Sequence, residues 1–380
     1  MVPVSGTKLL GMATAKWRVF LFAFGFILLT ACAADEVVDN AAPQADTAVA
    51  DSAEEEVVPV SSSTSSTSST TSTTTTTVAP SLAPPLENDG VPRVARTSTG
   101  VVLPVLSPWQ DGYIVNTPCQ NTAIVLDAEV NDRVHVVLDP GHGGSETGAV
   151  SPDGIVEGDV NLEVALLTEE LLTDLGFEVT LTRYSDIRVP LVSRVEIADQ
   201  LEAELLISIH HQASNPFPIS DTPGAEVFYQ QLIPESRRFA GILIEETHEA
   251  YEQFDINWFT GPDAGALFRL NTNTGTDFYG MIRLPETTAV LAEMGFLGNE
   301  EELELLRSGE LQVAEAEAIT NAIVRWFNTD DPGSGFVEPS FTLTAAGSGG
   351  GTAGCEDPDL GQTLAFGDDE AAAIATEEEG

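Results

Sequence analysis

Lysine is almost missing from this chain of 380 residues: Lys8 and Lys16 are the only two. From Cys32 onward there is no lysine, and 12 arginines stand against all 60 aspartates and glutamates. A surface of that sign repels nucleic acid and anionic lipid headgroups, which excludes both as partners recognised through charge. It also repels itself, so a salt-adapted domain is expected, because the Debye length falls from about 30 Å at 0.01 M to about 3 Å at 1 M. A long apolar run is missing too. Residues 19–29, just after Lys16 and Arg18, form an apolar stretch of about 11 residues, short of the roughly 20 needed to span a bilayer and suited to the core of an export signal. Cysteine is scarce, with Cys32, Cys119 and Cys355 the only three.

The apolar stretch ends in Leu29-Thr30-Ala31-Cys32. That pattern resembles a bacterial lipobox, in which a signal peptidase cuts before the cysteine and lipid joins its sulfur. Residues 1–31 are therefore expected to be a lipoprotein signal peptide and Cys32 the lipidation site, making the chain an exported protein anchored to a membrane. Residues 32–97 read as a disordered linker, since 61–77 are almost wholly Ser and Thr and no core can form from them. As a flexible coil, roughly 65 residues span on the order of 45 Å, enough to hold a domain away from a membrane surface.

Residues 98–130 alternate enough around 101–103 and 113–115 to suggest a short β-rich extension, with turns at Ser107-Pro108 and Asp111-Gly112. Residues 329–380 become Gly/Ser-rich and then acidic and read as a disordered tail. An exported chain meets an oxidising compartment, and Cys119 and Cys355 flank the remaining core, so a disulfide between them is expected.

That core, 131–328, is long enough for one sizeable domain. Strand-like and helix-like segments alternate along it: strand 135–138, helix 159–175, strands 177–182 and 205–209 around helix 191–202, strand 225–229, helix 235–251, strand 288–291 and helix 310–327. This order predicts an α/β fold with a single twisted, mostly parallel sheet flanked by helices. At the carboxyl edge of such a sheet, residues distant in sequence converge on ligands. Four acid or imidazole side chains lie there: His142 in a glycine-rich turn, Glu157 before a helix, His210 at a strand end, and Glu293 within a hydrophobic run. Two imidazoles and a carboxylate make a catalytic zinc set with one open position, and the second carboxylate is left to act as a base. Each has a structural alternative: His142 could satisfy backbone groups, Glu157 a helix dipole. Glu293 would be costly to bury unpaired. Arg183, Asp186 and Arg194 read as a structural charge network.

Asp139-Pro140-Gly141-His142-Gly143-Gly144, Glu157 with Asn161-Leu162, Leu181-Thr182-Arg183, Ser208-Ile209-His210 and Glu293-Met294-Gly295-Phe296-Leu297-Gly298-Asn299 together resemble the zinc-dependent N-acetylmuramoyl-L-alanine amidases of the amidase-3 family. The resemblance implies one Zn2+ ion held by His142, Glu157 and His210, Glu293 as the catalytic glutamate, and hydrolysis of the amide joining N-acetylmuramic acid to L-alanine in peptidoglycan. His211 departs from the small residue common after the second histidine. Since successive strand residues face opposite ways, His211 is expected at the lip of the site or supporting it from behind. Arg283 lies in a segment resembling the one before the family's last strand, where it would contact substrate or brace the site. No tandem wall-binding repeats occur, so the tether would supply proximity to the wall, and the need for an activator protein stays open. The competing readings are an exported zinc peptidase cutting within the stem peptide and a noncatalytic muropeptide-binding wall protein.

Overall fold

A computed structural model describes residues 81–212, 223–258, 264–343 and 350–361, with the backbone of 363–364. All belong to one compact unit of the chain. The expected signal peptide, Cys32 and most of the linker lie outside the described residues. No helix among the described residues is long and apolar enough to cross a membrane.

The chain first builds β1 (Val94–Arg96), β2 (Val102–Trp109), β3 (Gly112–Asn116), β4 (Thr122–Leu126) and β5 (Glu129–Asn131). It continues with β6 (Val136–Pro140), α1 (Glu157–Asp174), β7 (Val179–Leu181), α2 (Leu191–Gln200), β8 (Leu205–Gln212), β9 (Glu226–Tyr229), α3 (Pro234–Tyr251) and β10 (Gly265–Leu267). Then come β11 (Arg269–Asn271), β12 (Thr276–Asp277), α4 (Gly280–Arg283), β13 (Ala289–Phe296), α5 (Glu300–Ser308), α6 (Glu310–Asn328), β14 (Ser340–Thr342) and β15 (Thr363–Leu364).

The α/β fold is present, with helices flanking a central sheet of order β10-β9-β13-β8-β6-β7. All its neighbours are parallel except β9 and β13, so β9 and β10 run against the other four strands and the sheet is mixed. Two further sheets lie beside it, a six-stranded one of order β15-β4-β3-β2-β1-β5 and a three-stranded one of order β12-β11-β14. The extension is thus a sheet in its own right and begins inside the expected linker, at Val94. Alternation of apolar residues gave each strand two faces, but only long-range pairing decides how many sheets the strands join.

The central sheet is buried on both sides, and parity assigns the faces. Val136, Leu138, Ile207, Ile209, Val290 and Ala292 pack with residues of α1, α3 and α6. Val137, Leu206, Ala289 and Leu291 pack on the other side with Ile197 and Leu201 and with Val94 and Val102 of the extension. The extension sheet is therefore docked on the catalytic layer through α2 rather than loosely appended.

Two stretches of the expected tail, 330–343 and 350–361, are ordered parts of the fold. Ser340–Thr342 pairs with β11, Leu360 joins the extension core, and β15 adds to β4. Cys119 and Cys355 form the expected disulfide, with Cα atoms 5.5 Å apart. Gly/Ser content and acidity, which made this segment read as disordered, carry no information about a covalent tie or about strand addition to a distant edge.

Candidate metal centre and active site

Parity also selects the side chains of the site. Ser208 and His210 lie on the α2 face of β8, as Leu206 does, and Glu293 lies on the same face of β13, as Leu291 does. His210 and Glu293 are register partners across these adjacent strands, so they are neighbours on one face at the carboxyl edge. The register shifts between Glu293 and Phe296, a bulge of the kind that re-aims a side chain at a site.

His142 comes from the turn after β6. Its φ of 61° is left-handed, which costs a non-glycine residue energy and persists only where surroundings hold it. Two buried arginines do so. Arg183 donates to the carbonyls of Pro140, Gly141 and Gly158 at 3.0, 3.0 and 2.6 Å, and Arg194 donates to those of Pro140 and His142 at 2.7 and 2.6 Å. Asp139, also buried, accepts from Arg194, Thr182 and Ser208 at 2.7, 2.6 and 2.7 Å. Burial works to raise the Asp139 carboxyl, but Arg194 and the two hydroxyls outweigh it and hold it below its ordinary value. Asp186 receives the Gly144 N–H at 2.6 Å. Arg183, Asp186 and Arg194 thus brace the turn through its backbone. Gly141 is needed for a different reason: a Cβ there would sit 2.2 Å from the His210 ring.

Glu157 is the first residue of α1, and its side chain completes the group. His142 Nε2 and His210 Nδ1 both lie 3.1 Å from Glu157 Oε1, and the two ring centroids are 4.9 Å apart. One ligand atom from each of the three residues falls within 4.8 Å of the other two. Glu157 Oε2 accepts the Ala149 N–H at 2.8 Å, which fixes the carboxylate's rotation. Burial works to raise the Glu157 carboxyl, but hydrogen bonds and charge from His210 and His142 hold it well below the carboxylate range. The His210 imidazole is pushed down by burial, which favours the neutral form that binds metal. Two imidazoles and one carboxylate, converging from three elements with no arginine or lysine bonded to any of them among the described residues, fit a zinc ion with one position open.

Glu293 is half-buried, and among the described residues it has no hydrogen-bond partner. Burial first, then the nearby Glu157 and Glu226 carboxylates, push its own carboxyl well above the ordinary value, while Arg269 pulls it down. Sequence reasoning missed these neighbours. Arg269 lies 5.0 Å from the Phe228 ring centroid and donates to the Tyr279 hydroxyl at 2.6 Å. Its one signal was that every permanently cationic side chain after Cys32 is an arginine.

His211 is placed behind the site and not at its lip. It is fully buried on the α1 and α6 side of β8, with Nδ1 2.7 Å from Asn161 Oδ1 and Nε2 3.1 Å from Glu315 Oε1. Burial lowers its pKa, but the Glu315 charge and hydrogen bond outweigh this and raise it. Its backbone N–H reaches Glu157 Oε1 at 3.3 Å. Arg283 donates to the carbonyls of Asp277 and Phe278, both at 2.8 Å, and so braces the turn before α4. It does not line the depression of about 450 Å³ in which His142 and His210 lie with Glu146, Leu191, Met281 and Gly350.

The family model described as N-acetylmuramoyl-L-alanine amidase matches residues 136–325. The chain is 28% identical over 222 residues to the N-acetylmuramoyl-L-alanine amidase AmiC of Neisseria meningitidis, covering 52% of this chain and 53% of that protein. It therefore spans about half the length of that relative. It is 30% identical over 225 residues to the amidase AmiA of Escherichia coli, covering 52% of this chain and 77% of that one. Among solved structures, the CwlD amidase from Clostridioides difficile, determined in complex with the GerS lipoprotein, is similar at 28% identity and a TM-score of 0.45, covering 52% of this chain and all of that one.

Proposed function

Because this chain belongs to the N-acetylmuramoyl-L-alanine amidase family, whose model spans half of it, we propose that it hydrolyses the amide between N-acetylmuramic acid and L-alanine in peptidoglycan. His142, Glu157 and His210 would hold one zinc ion, and Glu293 would move the protons. The observation that carries this reading is the convergence of three ligand atoms within 4.8 Å beside a carboxylate on the neighbouring strand. Zinc at such a set supplies Lewis acidity, polarising an amide carbonyl and lowering the pKa of water to about 7.

The chain's own residues supply the rest. The braced turn, the α1 N-terminus and the end of β8 hold the three ligands on different elements. Glu293 takes a proton from the attacking water and returns it to the departing alanine nitrogen, so one carboxylate serves both steps. With no hydrogen-bond partner among the described residues, the carboxylate is available for that exchange. A module that only bound muropeptides would not need this residue.

Product analysis on purified peptidoglycan tests the reading. Free stem peptides beginning at L-alanine are expected. Cuts within stem peptides would assign the chain to the peptidases instead, and no release would assign it to the noncatalytic wall binders.

The proposal extends to location: the protein is exported, processed before Cys32 and held at the membrane by lipid on that cysteine, facing the wall. A diacylglycerol supplies the two chains that stable anchoring requires. Cys32→Ala is expected to leave the membrane fraction or remain unprocessed, and unchanged partition with unchanged processing would refute the anchor.

A further inference from the structure

Beyond the family span, the C-terminal segment returns to the mouth of the site. Gly350 lines the same depression as His142 and His210. Its backbone is held from both sides: the Leu191 N–H donates to Gly350 O at 2.7 Å, and the Gly350 N–H donates to Glu146 Oε1 at 3.2 Å. Arg188 donates to Gly351 O at 2.6 Å and pairs with Glu146 at 2.9 Å. Further along, Cys355 is bonded to Cys119. Asp357 accepts from the Cys119 N–H, Thr117 Oγ1 and Asn121 Nδ2 at 2.8, 2.9 and 2.7 Å.

The energetics make the disulfide the decisive tie. Within 350–361 only Leu360 is a buried apolar residue. Ordering about 12 residues costs on the order of 12 kcal/mol or more in backbone entropy, whereas each hydrogen bond returns only about 0.5–1.5 kcal/mol net. Polar contacts of this number do not hold such a segment alone. A covalent tie to the extension sheet removes much of the freedom that would otherwise be lost.

We propose that Gly350, held in place at the start of the segment 350–361 that Cys119–Cys355 clasps, forms a fixed wall of the substrate cleft that selects peptidoglycan by size. It admits a single disaccharide–peptide readily and restricts the bulkier cross-linked sacculus. This rests on the amidase reading. It assigns a specificity role to a segment outside the family domain, whereas a mere surface tail would leave selection unchanged.

The test compares kcat and KM on a soluble disaccharide–peptide and on intact sacculi, using the full oxidised chain, the Cys119→Ser/Cys355→Ser variant and, separately, Arg188→Ala. Arg188→Ala keeps the disulfide and covers the case in which the cysteine variant does not fold. In the cysteine variant the ratio of kcat/KM on sacculi to that on the soluble substrate is expected to rise about tenfold, the scale on which a pocket wall discriminates. The gain should lie in KM for sacculi, with kcat on the soluble substrate unchanged, and Arg188→Ala should shift the ratio the same way by less. An unchanged or lowered ratio in the folded variants, with wild type cutting both substrates, overturns the wall alone. If wild type cuts neither, the amidase reading fails and the wall proposal falls with it.

Discussion

Two groups of charged side chains lie at the carboxyl edge of the same sheet, and they are compensated in opposite ways. Around Asp139, one buried carboxylate meets the Arg194 guanidinium and two hydroxyls, and the remaining guanidinium donors reach backbone carbonyls. Charge and hydrogen-bonding capacity are both satisfied within the group, as burial requires. Around Glu157, a buried carboxylate meets two imidazoles and no permanent cation, and three ligand atoms aim at a common region. The first arrangement suits a brace and the second suits a cation. Proximity of ionisable groups does not separate them; their internal charge balance does.

Mutations at each group should therefore differ in kind. The largest effect is expected from Glu293→Ala, a loss of about 10²- to 10⁴-fold in turnover, the usual worth of general acid–base catalysis, with bound zinc retained. His142→Ala should instead empty the site, as read by metal analysis. His211→Ala should keep the metal, because both its ring nitrogens are engaged behind the strand by Asn161 and Glu315. A variant of His211 that lost zinc while His210→Ala retained it would invert the ligand assignment.

At the brace the expected effect is on stability. Asp139→Asn leaves Arg194 buried without its counter-charge, at a cost of about 3–5 kcal/mol, which denaturant unfolding would measure. It should also alter the acid limb. The folded-state pKa of Asp139 lies below the ordinary 3.8, so its contribution is present above that value and is lost as pH falls through the folded-state pKa. Wild type should lose this stability below about pH 4, and Asp139→Asn should lack that component. An unfolding free energy equal to that of wild type at neutral pH would show that the brace is not what holds the turn.

Much of the site was legible because it depends on local chemistry and on parity. The glycine-rich turn, the strand run ending in Ser208-Ile209-His210 and the acid in an apolar strand each announce themselves within a few residues, and strand alternation separated His210 from His211. Less was legible where distant segments meet. Helix α5 went unread although Asn299 caps it by accepting the Glu301 and Glu302 N–H groups, both at 3.0 Å, because its nine residues make only about two and a half turns and follow closely on a strand. The Glu315 partner of His211 is separated from it by 104 residues. Arg269 and Glu226, which oppose each other at Glu293, carry no motif.

The sequence by itself determined the alternating elements, the candidate ligands and base, and the acidic, lysine-poor surface, since each follows from residue type and short-range order. Only the tertiary structure decided that β9 runs against β13, that the extension packs through α2 on the catalytic layer, and that the tail returns to Gly350 beside His142 and His210. Strand direction, sheet membership and the path of a polar segment are settled by contacts between residues far apart in the chain, where hydrogen bonds and covalent ties act and local hydrophobic periodicity is silent.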